Sequence, residues 1–589
     1  MRFRNYVIQN FPFLEDDFDA LTDYQLFCKL VGYAKKMCIN NEKFVNELTA
    51  NLEKMYEDGK FDTLIEEIVN LQTTFTYDSV SDMKDATNLM NGAYARTSGF
   101  YSYNDGGGAY YKIRTKTNED TIDEVLLIAI GDDLVAELII TSEMEIKQFG
   151  AKDDDTFDNT SIFKKAIANF KNKLSFNGNT FKIDETIDML DKNNKELNFN
   201  CKIHMVSNAS PGTACFRILR CNNIKIDGYD VFSERNQEEP PFGDTSRISP
   251  YGSNIYGLVI RSCKDIYVNN VNFNNMAIDF VVSIYDLDSL QEYPNSENIY
   301  ITNYSSTNAS NNNLLAYTKN IYYKNCNLTP AINMGGGDHG WYITDDVVNV
   351  YLDNISYELL DGNFGVIFQC NASETDALNV NISNCNIKAC RLCYNKHDTV
   401  MTFNNINFYD NANDDHANLV LSGSTALTII NNLRVDNLSR PIISTNYGLN
   451  LKMKNSIINS VHTGNLFSLG GTNITQSLLL DNCELYNVKA YLVYSGESNT
   501  SDVKILNCYI ETDSENSISK RKTESKLLIS NTQIINSNAD PGGLIYNGSF
   551  DASNIVTINS YFKNYSRYIY NNTNGYVLNS YLDNTEITD

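Results

Sequence analysis

The chain has 589 residues, a formal net charge of −26 and 42% hydrophobic residues, which is enough apolar sequence for a core and excludes disorder of the whole chain. No run of about 18 apolar residues occurs, and no apolar signal region follows the start Met-Arg-Phe-Arg, so we expect neither a membrane span nor Sec export. The excess of 73 acidic over 47 basic residues, without a basic cluster, disfavours a nucleic-acid partner.

Residues 1–74 are predicted to form an α-helical stalk. A cap at Thr22 or Asp23 can begin a first helix. A second helix carries apolar residues at a 3-4-3 spacing, which is typical of a coiled-coil seam and favours self-association. An ordinary helical pair that folds on itself is the alternative. The residues of this spacing are Val45, Leu48, Leu52 and Met55.

Residues 75–147 are predicted to form a small mixed α/β adaptor domain. At its centre, three glycines at 106–108 join two tyrosine-rich strands. No Lys-Ser/Thr pair follows these glycines, and they lead into a strand and not into a helix, so they do not match a phosphate-binding loop. A tight turn between the two strands is the prediction.

The next segment, 148–589, opens with a predicted capping helix at 158–171. Asp158 or Thr160 can cap this helix. A helix in this place would cover the apolar core and the unpaired strand edge that the first coil of a solenoid exposes. Its apolar face is formed by Ile162, Phe163, Ala166, Ile167 and Phe170.

One repeat organises the rest of the chain: a short β-type run, then Asn, then a small residue, then an apolar residue two places later. Units of this size cannot bury an apolar face alone, but stacked about 4.8 Å apart they would bury a continuous core. Asn tolerates left-handed backbone, and its amide can bond to the same amide one unit away, so we predict a parallel β-helix with an asparagine ladder. A propeller has longer repeats, and a meander barrel has no reason to repeat Asn. The aligned asparagines are 270, 303, 325, 354, 384, 405, 432, 455, 482, 507, 531, 559 and 579.

The 13 cysteines are scattered along the chain. Their only close pair is Cys390-x-x-Cys393, with no second pair and no histidines at zinc-ligand spacing. We therefore expect free, buried thiols in a reducing cytosol, and neither a metal site nor a cofactor.

These segments resemble a known family. The stretch from Phe149 to Phe170 (FGAK-x-D, D-x-T, F-x-x-A-I), the strand G-x-T-F-x-I and the Asn-bearing coils look like the pectate-lyase-type β-helix of phage tailspike and appendage proteins. Asp153 and Asp155 stand where that family usually has glycines. Residues 11–70 and 94–113 resemble the virion-attachment parts of such proteins from phages of low-GC Gram-positive hosts.

The resemblance implies a mainly β chain with a right-handed, single-stranded parallel β-helix. It also implies a homotrimer that attaches to phage tail or collar proteins through residues 1–147. Such a protein is made in the host cytoplasm and ends in the virion, as a tail or neck (pre-neck) appendage.

Three segments interrupt the coils, at 233–256, 285–294 and 334–346. The third holds the only Trp and one of just five His. There Asp338, His339 and Trp341 begin a predicted strand beside three glycines, which allow a ligand to approach the backbone. Carboxylates perform the acid–base steps of glycoside cleavage, and Trp offers a flat face to a sugar ring. The string D-H-G-x-Y also resembles a segment frequent in tailspike β-helices.

Coil spacing adds further candidates. If Asp361 begins the equivalent strand one coil later, it lies about 5 Å from Asp338, which suits a nucleophile–acid pair. Asp279, two coils earlier, would lie about 9–10 Å away, near the upper limit for an inverting pair. The alternative for each carboxylate is a solvated surface group, that for His339 is a hydrogen-bonded turn histidine, and that for Trp341 is a core residue. The remaining candidates are Glu358 as a catalytic residue, and Tyr342, Gln369, Arg391 and His397 as substrate-binding residues.

The function expected from these features is a virion appendage that binds a host cell-surface glycan during adsorption. It would cleave a cell-wall or capsular glycan (teichoic acid or polysaccharide) by hydrolysis or elimination. The alternative is a non-catalytic receptor-binding spike, whose many Tyr and Asn side chains would suit sugar contacts. A secreted pectin lyase fits poorly, because the chain has no signal region and begins with a helical segment.

Overall fold

The computed structural model describes residues 74–206, 213–233, 255–284, 293–309, 311–330, 339–344, 346–358, 366–370, 378–389, 391–395, 399–410, 419–422, 426–445, 450–469, 475–495, 500–520, 525–539, 542–547, 554–570, 576–583 and 585–587. The predicted helical stalk therefore lies outside the described residues, except for Thr74. The chain divides into two compact units, Met1–Thr141 with Glu145–Ala151, and Ser142–Met144 with Lys152–Asp589.

The first unit contains a five-stranded sheet in the order β1-β2-β3-β5-β4. Its first pair is parallel and the other pairs are antiparallel. The three glycines lie between β2 and β3, in a turn where the Asp105 carboxylate accepts hydrogen bonds from four backbone N–H groups. The elements are β1 (Thr74–Tyr77), α1 (Val80–Lys84), β2 (Tyr94–Thr97), β3 (Tyr110–Thr115), β4 (Leu127–Ile130), β5 (Leu134–Leu138) and a 3-10 helix (Ile146–Phe149).

The second unit contains helix α2 (Thr160–Asn169), within the segment where the sequence predicts a capping helix. Its N-cap is Asn159 and not Asp158 or Thr160, but the Asp158 carboxylate accepts the Thr160 backbone N–H at 3.0 Å. The helix buries Phe163, whose ring packs against the rings of Phe176 and Phe181 at centroid distances of 5.1 and 5.7 Å. Its apolar face is thus covered by the first strands that follow.

The rest of the second unit is a column of stacked coils. Each coil adds one strand, or two short ones, to a long sheet, and one strand to a second face of the column. Pairing from coil to coil is parallel, as in β17 with β19 and β20 with β22. The second face consists of a nine-stranded sheet followed by a six-stranded sheet, and Val420 N–H donates to Ile442 O where the two meet.

The strands of the long sheet are β6 (Glu143–Glu145), β7 (Asp154–Asp158), β8 (Lys173–Ile183), β10 (Asn193–Met205), β12 (Asn222–Asp227), β13 (Asp230–Ser233), β15 (Lys264–Asn274), β17 (Ser296–Thr307), β19 (Thr318–Thr329), β21 (Val347–Glu358), β23 (Leu378–Ala389), β25 (Thr399–Asp410), β27 (Leu427–Leu438), β29 (Asn450–Lys454), β30 (Ile457–Ser460), β32 (Thr475–Asp481), β33 (Glu484–Val488), β35 (Thr500–Leu506), β36 (Tyr509–Thr512), β38 (Lys526–Ser530), β39 (Gln533–Asn536), β41 (Ile555–Ile558), β42 (Tyr561–Lys563), β44 (Tyr576–Leu578), β45 (Tyr581–Leu582) and β46 (Thr585–Glu586). The nine-stranded sheet contains β9 (Ile187–Leu190), β11 (Ala214–Leu219), β14 (Tyr256–Arg261), β16 (Ile278–Ser283), β18 (Asn311–Leu315), β20 (His339–Ile343), β22 (Val366–Cys370), β24 (Arg391–Asn395) and β26 (Val420–Ser422). The six-stranded sheet contains β28 (Ile443–Thr445), β31 (Phe467–Leu469), β34 (Val493–Ser495), β37 (Ile518–Lys520), β40 (Gly543–Asn547) and β43 (Arg567–Tyr570).

The asparagines of the repeat occupy one corner of successive coils. All thirteen have left-handed backbone, with φ between 48° and 59°. Their amides bond along the column: Asn405 donates to Asn384 Oδ1 at 3.0 Å, and Asn432 donates to Asn405 Oδ1 at 2.9 Å. The predicted parallel column and its asparagine ladder are therefore confirmed.

A second ladder runs along another corner of the long sheet, and the sequence reasoning missed it. Asp265, Asn298, Asn320 and Asn349 all have φ of 55–57°. Each of the three asparagines donates to the preceding member, at 2.8, 3.1 and 2.9 Å. Every member lies five residues before an asparagine of the first ladder, and that constant spacing is a signal in the sequence that could have revealed the second ladder.

Within the described residues, no helix has both the length and the apolar character needed to cross a membrane. In the same part of the chain, no group of three or more His, Cys, Asp and Glu side chains is arranged to hold a metal ion.

Candidate functional site

Strands β20, β22 and β24 bring several of the candidates onto one outward face of the nine-stranded sheet. The registry aligns His339 with Val366 and Arg391 in one row, and Tyr342 with Gln369 and Tyr394 in a second row. Adjacent strands lie about 4.8 Å apart, so these side chains form one continuous surface. We call this surface the outer patch and define it as His339, Tyr342, Gln369, Arg391 and Tyr394, all half-buried.

Tyr394 is the member that the sequence reasoning missed. In β20 and β24, the two outward positions are three residues apart, 339 and 342 in one strand and 391 and 394 in the other. An alternating strand would place them two apart. The larger spacing arises because two consecutive residues, such as Gly340 and Trp341, are both buried. In β22, Gln369 faces outward and Val366, which is aligned with His339 and Arg391, is buried.

His339 is held at the edge of the outer patch. Its ring stacks on Tyr342, with centroids 5.1 Å apart and planes inclined by 23°, and its backbone N–H donates to Asn311 Oδ1 at 3.0 Å. Burial lowers the pKa of His339 from its ordinary 6.5 to about 4, despite an opposing hydrogen bond that the ring donates to the Val366 backbone. The ring is therefore neutral at pH 7 and can accept a proton or a hydrogen bond, but it does not supply positive charge.

Trp341 does not offer a face to a sugar, and that expectation is wrong. Its side chain is 0% exposed and lies in the interior of the column. One side meets the Tyr323 ring edge-on at 5.6 Å, and the other stacks with Phe368 at 5.3 Å. The physical reason is core packing, because the indole fills the space between aromatic rings of neighbouring coils.

Asp279 also points into the column, so its expected place beside Asp338 is wrong. The residue is 0% exposed, and its carboxylate accepts hydrogen bonds from the Tyr304 hydroxyl at 2.5 Å and from Asn312 Nδ2 at 2.7 Å. The registry aligns it with Asn312 and Gly340, which face inward, and not with the residue before His339. Asp279 thus stabilises a buried polar cluster and cannot reach a ligand on the outer patch.

Glu358 lies on the long sheet, at the end of β21. Its carboxylate is 3.6 Å from Lys388 Nζ, its cross-strand partner; Glu358 is exposed and Lys388 is half-buried. A surface pair of this kind contributes little to stability. The described geometry therefore does not bring Glu358 into the outer patch.

Asp338, Asp361 and His397 lie outside the described residues. The described strand β22 starts at Val366, so the predicted place of Asp361 one coil after Asp338 also falls outside the described residues. Asp338 immediately precedes His339, the first residue of β20.

A file of stacked tyrosines runs along the long sheet, and the sequence reasoning missed it as well. The rings of Tyr267, Tyr300, Tyr322 and Tyr351 lie 4.7–5.0 Å apart and are parallel within 7°. Each tyrosine precedes a ladder asparagine by three residues, which is a signal in the sequence. Because the rings cover one another, the file presents ring edges and hydroxyl groups, and not open faces.

A cleft of about 910 Å³ lies beside helix α2 and has a mixed charge. Asp188 forms a bidentate pair with Arg217, at 2.6 and 2.7 Å, and Lys164 pairs with Glu185. The charged groups of the cleft thus largely satisfy one another.

No family model and no curated protein sequence matches the chain. Among solved structures, it is similar to the enzymatically active domain of tailspike protein 2 of bacteriophage CBA120, with a TM-score of 0.36 and 12% identity over 68% of this chain and 60% of that chain. It is also similar to pre-mature bacteriophage phi29 gene product 12, with a TM-score of 0.41 and 15% identity over 76% and 57%.

A third similar structure is the A-module of the mannuronan C-5 epimerase AlgE6 of Azotobacter vinelandii, with a TM-score of 0.32 and 10% identity over 74% of this chain and 98% of that chain. The chain spans about three-fifths of the length of the first two structures. Similarities at this level carry no inference about activity, substrate or partners.

Proposed function

We propose that the chain is a phage tailspike or appendage protein that binds a glycan of the host cell surface through the outer patch. The observation that carries the proposal is the succession of outward tyrosine, glutamine and arginine side chains on consecutive coils, beside a neutral imidazole. Tyrosine rings pack against the C–H faces of sugars, and the amide and guanidinium groups bond to hydroxyl or acidic groups. Coils repeating about every 4.8 Å suit an extended polymer.

The assembly is part of the same proposal. It comprises a homotrimer, attachment to tail or collar proteins through residues 1–147, and a place in the virion of a phage with a low-GC Gram-positive host. The support is the sequence resemblance described above. Sedimentation of the purified chain should give a trimer, and a monomer at micromolar concentration would contradict this part.

We also propose that the protein cleaves the bound glycan, with Asp338 and Asp361 as the catalytic carboxylates. The position of Asp338 in the sequence supports this proposal, because Asp338 immediately precedes His339, a member of the outer patch. Hydrolysis would use the two groups as an acid–base or acid–nucleophile pair, whereas elimination would need one base.

A non-catalytic receptor-binding spike is the second candidate, and one observation favours it. Among the described residues, no carboxylate lies in the outer patch, because Asp279 points inward and Glu358 pairs with Lys388 on the long sheet. In that case the outer patch binds the glycan and does not cleave it.

Binding can be tested by immobilising cell-wall polysaccharide and capsule from a candidate Gram-positive host and measuring the affinity of the purified protein. We expect the double change Tyr342→Ala and Gln369→Ala to weaken binding at least tenfold. Tyr409→Ala is the matched control, because Tyr409 is 52% exposed but lies on the long sheet. Equal affinity of the patch variant and wild type would contradict the binding site.

Cleavage is tested by following new reducing ends and new double bonds in the same polymers. Asp338→Asn with Asp361→Asn should abolish both while binding is retained. Asp436→Asn, which removes an exposed acid paired with Arg434, should cut at the wild-type rate. A double variant as active as wild type would exclude these two acids, whereas a polymer that wild type binds and leaves uncut would support the second candidate.

A further inference from the structure

We propose that two stacked cysteine pairs, Cys221 with Cys263 and Cys483 with Cys508, are oxidation sites at which neighbouring coils become joined by a disulfide. All four thiols are free in the structure and at most 4% exposed. The proposal concerns a covalent modification of the column and does not depend on the outer patch.

In the first pair, the two cysteines occupy the same inner position on consecutive coils. Their following residues, Asn222 and Lys264, are partners in the parallel ladder. The Lys264 N–H donates to Cys221 O at 2.9 Å, and the Cys221 N–H donates to Cys263 Sγ at 3.4 Å. Neighbouring parallel strands place such Cα atoms about 4.8 Å apart, within the range of about 4.4–6.8 Å that disulfides span.

The second pair repeats this arrangement farther along the column. Cys483 and Cys508 each follow a left-handed corner asparagine, Asn482 and Asn507. The next residues, Glu484 and Tyr509, are ladder partners, and the Tyr509 N–H donates to Cys483 O at 2.9 Å.

In each pair, the side chain of one cysteine changes the pKa of the other. Hydrogen bonding with Cys263 lowers the pKa of Cys221, whereas burial raises the pKa of Cys263 well above its ordinary value. Likewise, hydrogen bonding with Cys508 lowers the pKa of Cys483, and the same interaction, with burial, raises the pKa of Cys508. One sulfur of each pair is thus the better nucleophile, and its neighbour is in place to react next.

Hydrogen peroxide is a small neutral oxidant that suits buried thiols. The Cys221 sulfur attacks one peroxide oxygen, so that an S–O bond forms, the O–O bond breaks and water leaves. The Cys263 sulfur then attacks the resulting sulfenic acid, an S–S bond forms and a second water leaves. Two thiols thereby lose two protons and two electrons, and one peroxide is reduced to two waters.

The chain offers a matched control within the inner row that holds the second pair. Cys326 and Cys385 also follow corner asparagines and are buried, but Ile355 lies on the coil between them. Two coil steps place them about 9–10 Å apart, which is too far for a disulfide. Burial raises the pKa of both thiols, that of Cys385 to about 12.

The experiment treats the full chain with a small excess of hydrogen peroxide, alkylates the remaining thiols and maps the peptides by mass spectrometry. We expect linked peptides for Cys221–Cys263 and Cys483–Cys508, each lighter by two hydrogens and restored by a reductant, while Cys326 and Cys385 are alkylated. In Cys263→Ser, dimedone should trap a sulfenic acid on Cys221. Circular dichroism checks that the variant is folded. The peptide map of the wild-type protein tests the proposal even if this variant does not fold.

Two outcomes would overturn the proposal. One is alkylation of Cys221 and Cys483 to the same extent as Cys326 after peroxide treatment. The other is oxidation of the four cysteines to sulfinic or sulfonic acids without linked peptides.

Discussion

At the scale of single residues, each corner asparagine combines a backbone conformation with a hydrogen-bonding side chain. Left-handed backbone costs most L-residues about 1–2 kcal/mol, and Asn is one of the few that adopt it routinely. The amide then donates to the coil before and accepts from the coil after, as Asn405 does between Asn384 and Asn432. Asn thus supplies both the left-handed backbone that the corner needs and the side-chain hydrogen bonds that join neighbouring coils.

The change Asn405→Ala separates these contributions. It should destabilise the coil by about 2–4 kcal/mol, from the left-handed backbone and two lost hydrogen bonds. Asn405→Gly keeps the backbone freedom and should cost less. Asn407→Ala is the matched control, because its amide also bonds across coils, at 2.9 Å to Asn386, but its φ is not positive. Hydrogen exchange around β25 measures each effect, and equal losses for Asn405→Ala and Asn407→Ala would contradict the argument.

Protonation of His339 makes the free energy of unfolding depend on pH, and the sign of this dependence follows from the lowered pKa. Its pKa is lowered to about 4 by burial, so the folded protein binds fewer protons than the unfolded chain between about pH 4 and 6.5. Its contribution is therefore complete above pH 6.5 and is lost as the pH falls toward 4. NMR titration of labelled histidine should show this midpoint, against about 6.5 in urea. The substitution His339→Gln should reduce the loss of stability over this range, and a native midpoint above 6 would be inconsistent with the burial described.

At the scale of elements, helix α2 closes one end of the aromatic core. Phe163 on the helix is 0% exposed and meets Phe176, Phe181 and Phe216 of the first coils. The helix therefore protects the first strands from solvent by packing and not by backbone pairing.

The substitution Phe163→Ala should cost about 3–5 kcal/mol, because it leaves a cavity among three rings. The loss should be local, since coils contact mainly their neighbours, and hydrogen exchange should speed up in β8 and β9 while β35 is unaffected. Ser161→Ala, at an exposed position of the same helix, is the control and should change little. Uniform acceleration along the whole column would show instead that the coils unfold as one cooperative unit.

At the scale of the whole molecule, the net charge of −26 opposes the compact state. Raising salt from about 0.01 M to about 1 M shortens the screening length from about 30 Å to about 3 Å. The thermal midpoint at pH 7 should therefore rise by several degrees with added sodium chloride. The same salt series near pH 4.6, the isoelectric point calculated from the sequence, is the control, and there the thermal midpoint should change little with salt. A midpoint that falls with salt at pH 7 would mean that exposed ion pairs such as Lys84–Glu124 outweigh the repulsion.

The column itself could be predicted from the amino-acid sequence, because its cause is local. A residue that accepts left-handed backbone must recur at each corner, and Asn384, Asn405 and Asn432 do so in a visible repeat. The regular spacings of the second ladder and of the tyrosine file also lie in the sequence.

Only the tertiary structure decided which side chains of the nine-stranded sheet face outward. Strict alternation places His339 and Trp341 on one face, but two consecutive inward positions break the alternation and bring His339 and Tyr342 out together. The register between coils is likewise non-local, because backbone hydrogen bonds between segments 20 to 42 residues apart set it. The repeat of asparagine therefore determined the column, whereas inter-coil packing determined that Asp279 and Trp341 belong to its core and that the outer patch belongs to its surface.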